Sequence, residues 1–503
     1  MTTLLEPLEL RPGESLTDEV PFWIGGAPTR SVAGELHDDV SPSTSQVLAR
    51  VHVASRADVD RAVEAAKGAQ PAWARLPIAE RARRLAELGR RVSARSDEFG
   101  MLDSRDGGTA LRSMRAGAEK GGNLLGLVAG VAPELHGRTI PATPNGLHFT
   151  EPEPWGIVGA ICAYNHPTLF TCMKIAAALA AGNAVILKPA VQTPLSPLVV
   201  AALSDDLLPP GVLNVLTGGA ETGEAIVTHP DIPRLSFTGS MPTGLRVYAA
   251  AAQSGRFKSV TLELGGKNPI VIYPDVDPET ATAAVIKGTN FARVGGQSCG
   301  ATSRLLLHES LHEHVMARVV ADTRAIRLGM PDDSDTEMGC MVSHQHRDRV
   351  VSMMETGEPD GARLLTGGGP PEGRPDLEAG AFVEPTVFDR VDPSARIFRE
   401  EIFGPVLGVT TWTDEREALR LANDSEYGLT ASVWCNDVDR AINAARSLDV
   451  GYVWVNDVEV RYPGVPFGGW KQSGLGLELG LVDDILSHTR SKSINVGLSP
   501  RPG

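Results

Sequence analysis

Residues 154–190 read PWGIVGAICAYNHPTLFTCMKIAAALAAGNAVILKPA. Ile157 to Ala163 is a short apolar run suited to a strand buried on both faces, and Ala184 to Leu187 is a second such run. Thr168 to Ala181, between them, is rich in alanine and long enough for a helix. Strand, helix and strand in that order predict a βαβ unit and a parallel sheet. Asn165 follows the first strand and Lys188 the second. Ligands of open α/β sheets bind beyond the carboxyl ends of the strands, so both side chains belong to the expected crevice. There the Asn165 amide is suited to donate to a developing oxyanion, and the Lys188 ammonium to hold ribose hydroxyls.

Downstream, Val212 to Leu216 predicts a strand, a helix follows from about Ala220, and Leu235 to Thr238 predicts another strand. The Gly239-Ser240 turn then opens a helix through Gly244, which presents free backbone N–H groups where a pyrophosphate can sit. This is not the G-x-G-x-x-G fingerprint of dinucleotide-binding folds.

Residues 261–300 carry the chemistry. They open with TLELGGKNP, close with ARVGGQSCG, and so bring one carboxylate and one thiol into a single segment. Cys299 sits among Gly295, Gly296 and Gly300, whose freedom predicts close approach of backbone to substrate, and it is the candidate nucleophile. Glu263 lies between the apolar run Val260-Thr261-Leu262 and the Gly265-Gly266 pair, placed to act as a general base in the same cleft.

Beyond Cys299 the α/β alternation resumes, with a strand near Arg304 to Leu307, a helix from Ser310 to about Ile326 and a strand-like AFVEPTVF. The stretch TGGGPPEGRPDLEAG predicts an exposed loop. RIFREEIFGPVLGV, at 396–409, sets Glu400, Glu401 and Phe403 before a Gly-Pro turn, where a carboxylate can grip a ribose and a ring can pack near a nicotinamide. Upstream of the opening stretch, Ser55 to about Val131 is helical by pattern. Residues before it read as an irregular lead-in with short strands at Phe22-Trp23-Ile24 and Val47 to Val53, and a turn at Gly25-Gly26. RTIPATPNGLHFTEPE reads as an extended excursion, and the tail HTRSKSINVGL alternates like an edge strand that invites pairing with another subunit.

The chain has 503 residues, enough for two or three domains, and a hydrophobic share of 42%. Its net charge of −15 argues against nucleic acid and anionic lipid as partners and for a small molecule. Five scattered cysteines, without paired spacing, argue against a disulfide framework and a zinc site. His312/His314 and His344/His346 stand two apart in helical segments, do not share a face and predict no metal centre. The opening MTTLLEPLELRPGES lacks a basic region followed by an apolar core, and no apolar run is long enough to span a bilayer, so a cytoplasmic protein is expected.

Taken together, PWGIVGAICAYNHP, ILKPA, SFTGS with Gly244, LELGGKNP, GGQSC, EEIFGPV and PFGGWKQSG resemble the aldehyde dehydrogenase superfamily, in that family's order and over nearly the whole chain. The resemblance implies an α/β fold with a Rossmann-like cofactor domain (1–138 and 153–263), an α/β catalytic domain (264–460) and a small β oligomerisation arm (139–152 and 484–500). It implies NAD as cofactor, with NADP also possible, an aldehyde as substrate, and a homodimer or homotetramer. In the family's mechanism the matching Cys299 attacks the aldehyde, Asn165 and the Cys299 N–H hold the oxyanion, and Glu263 activates the water that hydrolyses the thioester. The cofactor residues implied are Lys188, Ala163, Tyr164, Val191, Gly239, Ser240, Gly244, Leu264, Gly265, Glu401 and Phe403. His166, Leu169, Phe170, Met173, Arg293, Ser298, Arg461 and Tyr462 are expected around the substrate tunnel, Arg293 or Arg461 favouring a substrate with a remote polar or carboxylate group.

Three positions depart from the family pattern. Val191 stands where many members carry a glutamate that repels a 2′-phosphate, so one reason to exclude NADP is removed. His166 replaces a common aromatic, and Val294 a common asparagine. The competing expectations are a CoA-acylating semialdehyde dehydrogenase, whose family members usually lack the glutamate, and a non-catalytic structural relative, which would be free to lose the cysteine, glutamate or asparagine.

Overall fold

The computed structural model describes residues 19–498; the parts of the expected domains at 1–18 and 499–500, and the opening MTTLLEPLELRPGES, lie outside the described residues. Two α/β sheets form the body. The first has eight strands, and five of them are parallel, in the spatial order Ser259–Glu263, Arg234–Thr238, Ile157–Ile161, Ala184–Lys188, Leu213–Val215. In chain order that is 5-4-1-2-3, so the order reverses between Ile157–Ile161 and Arg234–Thr238. A crevice opens at such a switch point because the connections on either side leave in opposite directions.

The expected βαβ unit is present, with its helix at Pro167–Ala180. Every residue of both strands is buried, and the helix is buried on nearly all sides between the sheet and the helix Leu111–Val131. This explains why its sequence is apolar all round rather than along one stripe. Close packing there depends on Gly121, where a Cβ would lie 3.2 Å from the Cys172 sulfur. Gly25 and Gly26 turn at φ 65° and 80° between the antiparallel strands Phe22–Ile24 and Ala27–Thr29 at the sheet's edge.

The second sheet has seven strands, in the order Arg363–Thr366, Thr386–Asp389, Val406–Trp412, Arg304–His308, Pro269–Ile272, Thr430–Trp434, Tyr452–Val455. All pairings are parallel except the first. Apolar clusters cover both faces, one holding Ile270, Leu305 and Val409 and the other Val271, Leu306 and Phe388. Of the run expected from AFVEPTVF, only Thr386–Asp389 is strand.

A two-stranded antiparallel ribbon, Gly146–Pro154 with Thr489–Gly497, stands apart from both sheets. The excursion thus pairs with the alternating tail across more than 330 residues of chain. The segment just before the tail behaves differently from it: Val482–Ser487 is a helix, and Ile485 is fully buried in the core of the first sheet. Gly474–Leu475 also returns to the first sheet, antiparallel to Ser259–Glu263. The chain's last part therefore ties the two layers together.

Candidate active site

The switch point opens into a cleft of about 880 Å³. Cys162, Ala163, Tyr164 and Asn165 line it from the end of Ile157–Ile161, and Phe237 to Ser240 from the end of Arg234–Thr238. Glu263, from the end of the first-sheet strand Ser259–Glu263, and Gly265, Cys299, Glu401 and Phe403 complete the wall. A cleft of this size falls in the range that takes a cofactor or substrate.

Glu263 is the last residue of its strand, and six residues later the chain enters the second sheet at Pro269. Cys299 lies in the loop after the helix Pro278–Thr289 and the short turn Phe291–Val294. Asn268 holds that loop in place: its Nδ2 donates to the Cys299 carbonyl at 2.7 Å and the Ala301 carbonyl at 3.0 Å, while its Oδ1 accepts from Thr430 N at 3.0 Å. Gln297 adds a second anchor by accepting from Val342 N at 3.1 Å.

The loop glycines also allow close packing. A Cβ at Gly296, which has φ 69°, would lie 2.2 Å from the Gly404 carbonyl oxygen. At Gly300 it would lie 2.2 Å from Arg461 Nη2.

Cys299 is half-buried at the cleft floor, and Glu263 is 4% exposed. Burial pushes the Glu263 carboxyl up to about 7, a rise that Cys299 opposes. The Cys299 thiol is pushed well up, first by burial and then by the Glu263 charge, so it holds its proton until a base removes it. Glu263 Oε1 is buried and has no hydrogen-bond partner among the described residues, which leaves it free to accept from water or thiol. Behind Glu263, the Lys174 ammonium donates to the Glu478 carboxylate and, at 2.8 Å, to Ser236 Oγ.

Asn165 Nδ2 donates to the Gln297 carbonyl at 2.8 Å. An amide nitrogen carries two protons, so the other remains for an oxyanion. The Cys299 backbone N–H donates to no acceptor among the described residues.

The cofactor side divides in two. Glu401 Oε1 accepts from Gly266 N at 2.9 Å, and a Cβ at Gly265 would lie 2.0 Å from Glu401 Oε2, so the carboxylate needs glycine beside it. Phe403, at φ 56°, stands edge-on to Tyr164 with ring centres 5.9 Å apart. Ser240 Oγ donates to Thr243 Oγ1 at the start of the helix Met241–Gln253. Lys188, Val191, Gly244 and Leu264 are not among the residues that line the cleft. The Lys188 ammonium, whose pKa burial lowers to about 8, turns onto the Pro189 carbonyl at 2.8 Å, and Gly244 packs against Leu264. Thr238 Oγ1, which faces the cleft, is buried without a partner, as expected of a group that awaits a polar ligand.

Of the expected tunnel residues, Phe170 lines the cleft, while Met173 is buried and Leu169 half-buried on the same helix. His166 is half-buried and stands edge-on to Phe170. Ser298 instead lines a separate small crevice with Thr289 and Phe291. Tyr462 is exposed, and its hydroxyl donates to Asp457 at 2.5 Å. Arg461 lies against Gly300, one residue from the nucleophile.

Sequence reasoning passed over His346, which lines the cleft and donates to the Phe403 carbonyl at 2.8 Å. Its signal was masked because the histidines were weighed only as pairs. Asn268 lay within the quoted LELGGKNP, and its place directly after the glycine pair and before a buried strand was the available clue.

The family model described as "Aldehyde dehydrogenase family" matches residues 29–494. The chain is 41% identical over 471 residues to aldehyde dehydrogenase tropH of Talaromyces stipitatus, with 92% of this chain and 90% of that protein covered. The structure superposes with a TM-score of 0.93 on the NAD+ complex of an aldehyde dehydrogenase from Bacillus cereus, at 36% identity, covering 97% and 99% of the two chains. A betaine aldehyde dehydrogenase from Staphylococcus aureus in complex with NAD+ also gives 0.93, at 32% identity and 100% and 99% coverage.

Proposed function

The chain belongs to the aldehyde dehydrogenase family, and from that premise we propose that it oxidises an aldehyde to a carboxylic acid with NAD or NADP as hydride acceptor, Cys299 acting as nucleophile. The observation that carries the reading is the pairing of Cys299 with a buried Glu263, raised to about 7, at the floor of a switch-point cleft.

The Cys299 sulfur, once deprotonated, adds to the aldehyde carbon and the carbonyl electron pair moves to oxygen. Asn165 Nδ2 and the Cys299 N–H are the donors for that oxyanion. The chemistry supplied by a bound nicotinamide dinucleotide is hydride acceptance from the carbon held on sulfur, which leaves a thioester. Glu263 then takes a proton from water, whose oxygen adds to the thioester carbon. The C–S bond breaks, the acid leaves, and the electron pair returns to Cys299. In sum, aldehyde, water and the oxidised cofactor give carboxylate, reduced cofactor and two protons.

Glu401 and Phe403 would hold the nicotinamide end with Tyr164 beside Phe403, Gly239 and Ser240 the pyrophosphate, and Lys188 the adenine ribose, with Ala163 also lining the cleft. The unpartnered Thr238 hydroxyl and the Gly265 cradle support this fit. In this reading the first sheet belongs to the cofactor domain and the second to the catalytic domain, and the Gly146–Pro154/Thr489–Gly497 ribbon joins identical chains into a dimer or tetramer. The test is cofactor reduction, followed by its near-ultraviolet absorbance, with NAD and with NADP across aliphatic, aromatic and carboxylate-bearing aldehydes. Reduction lost in Cys299→Ala is the expected result; no turnover of any aldehyde by folded, cofactor-binding protein overturns the reading.

A further inference from the structure

Arg461 sits in a cage of three aromatic rings. Its guanidinium carbon is 4.4 Å from the centre of Phe467, 4.8 Å from Trp454 and 5.7 Å from Tyr452. All three rings are buried, and Cys299 packs against the same cluster. Trp454 Nε1 donates to the Val460 carbonyl at 2.7 Å, which fixes the chain just before Arg461. Ring faces attract the cation and hide it from water, yet they offer its N–H groups no acceptor. Arg461 Nη1 is accordingly buried without a hydrogen-bond partner.

Two more cations stand on neighbouring elements. Lys120 is exposed on the helix Leu111–Val131 and Arg293 on the turn Phe291–Val294, two elements joined by Arg112 Nη2 donating to the Ala292 carbonyl at 2.7 Å. The charges of Arg293, Lys120 and Arg461 all act on His166, which they and burial hold neutral. None of the three cationic side chains makes a hydrogen bond or ion pair among the described residues. The carboxylates that face this cluster are Glu459, Glu119 and, from the cleft floor, Glu263. Glu459 Oε1 is itself buried without a partner beside Gly300.

An unpaired guanidinium next to a nucleophile is costly unless an anion visits it. A chain of net charge −15 repels anions at long range, so an anionic substrate needs local cations to reach the site. We propose that the substrate is an aldehyde whose far end carries a carboxylate, gripped by the Arg461 guanidinium, with Lys120 and Arg293 drawing it into the entrance. A planar fork of N–H donors matches a carboxylate better than a point charge does. The proposal rests on the reading of Cys299 as the nucleophile of an aldehyde dehydrogenase.

The test compares kcat/KM for matched aldehydes with and without the carboxylate: succinate semialdehyde against butanal, and 4-carboxybenzaldehyde against 4-methylbenzaldehyde. The wild-type protein prefers the carboxylated member of a pair by about tenfold or more, since charge-assisted hydrogen bonds are worth that much. The preference shrinks as ionic strength rises. Arg461→Gln lowers the ratio by about ten- to hundredfold, mainly through KM, and Arg461→Lys restores part of it. Replacing Lys120 and Arg293 together by Gln, at exposed positions that folding tolerates, removes the salt dependence. Glutarate, a dicarboxylate that lacks the aldehyde, protects wild-type Cys299 from alkylation by iodoacetamide, whereas glutaramide does not; this readout decides the matter if Arg461→Gln fails to fold.

Turnover of the neutral members at equal or higher kcat/KM overturns the proposal while leaving the dehydrogenase reading intact. So does an Arg461→Gln protein that shifts the pH profile of Cys299 alkylation but keeps the substrate ratio, because Arg461 would then serve the thiol alone. If no aldehyde is oxidised, the underlying reading fails and the proposal falls with it.

Discussion

Asn268 Nδ2 donates to the carbonyl of Cys299 at 2.7 Å, so the residue just before the second sheet's strand Pro269–Ile272 holds the nucleophile's own backbone. Through its other bonds, to Ala301 and Thr430, the same side chain joins the loop to a central strand. Glu263 precedes it by five residues, and this short link sets base and nucleophile in one frame.

Asn268→Ala frees the Cys299 carbonyl from that frame. Misplacement of a nucleophile by about 1 Å costs on the order of a hundredfold, so kcat falls by about ten- to hundredfold. Because one anchor, Gln297, remains, the protein still folds, and its melting temperature drops by only a few degrees for a loss of about 1 kcal/mol. Steady-state kinetics beside thermal unfolding check both parts; equal kcat in the variant refutes the positioning role.

Glu263 acts as a base only when ionised, and its carboxyl is raised to about 7. The rate of thioester hydrolysis therefore climbs through about pH 7 and levels above it. Glu263→Gln removes that limb and lowers steady-state kcat by about a hundredfold or more. If Glu263 serves hydrolysis alone, a single burst of reduced cofactor per site survives in rapid mixing. Loss of the burst as well assigns the carboxylate to thiol deprotonation too.

In the proposed cofactor assignment, position 191, between the cleft-lining Ala190 and Gln192, carries valine and no carboxylate. Introducing one with Val191→Glu disfavours a 2′-phosphate by charge repulsion. The NAD to NADP ratio of kcat/KM rises by about tenfold or more, a change of about 1.4 kcal/mol. An unaltered ratio shows that position 191 does not face the 2′ position.

Away from the cleft, Asp39 and Asp106 form a buried carboxyl pair. Asp39 is pushed up to about 7 by burial, and Asp106 well up by burial and by the Asp39 charge. A carboxyl whose pKa is higher folded than unfolded contributes stability that is complete below the unfolded value, near 4, and is lost as pH rises through the folded value, near 7. Asp39→Asn removes one such carboxyl and stabilises the protein at pH 8 relative to pH 5 by about 1–2 kcal/mol. Denaturant unfolding at the two pH values measures it; the opposite sign refutes the buried-pair account.

Much of the architecture was legible from neighbours along the chain. The apolar runs at 157–161 and 184–188, with an alanine-rich helix between them, follow from burial on both faces and from period alone. Cys299 and Glu263 were legible because a thiol among glycines and a carboxylate at a strand end announce their chemistry locally. The tail's edge strand was legible too, but not its partner, Gly146–Pro154, nor the burial of Ile485 just before it.

By itself the sequence determined the parallel sheet, the switch-point crevice and the residue types that face it. Tertiary structure alone decided that His346 lines the cleft, that Ser298 lines a separate crevice while Tyr462 is exposed and bonded to Asp457, and that the charges of Lys120, Arg293 and Arg461 act on one histidine from three distant segments. The reason is physical: strand and helix periods arise from contacts within a few residues, whereas a charge cluster or an aromatic cage exists only once packing has brought remote segments to the same few ångströms.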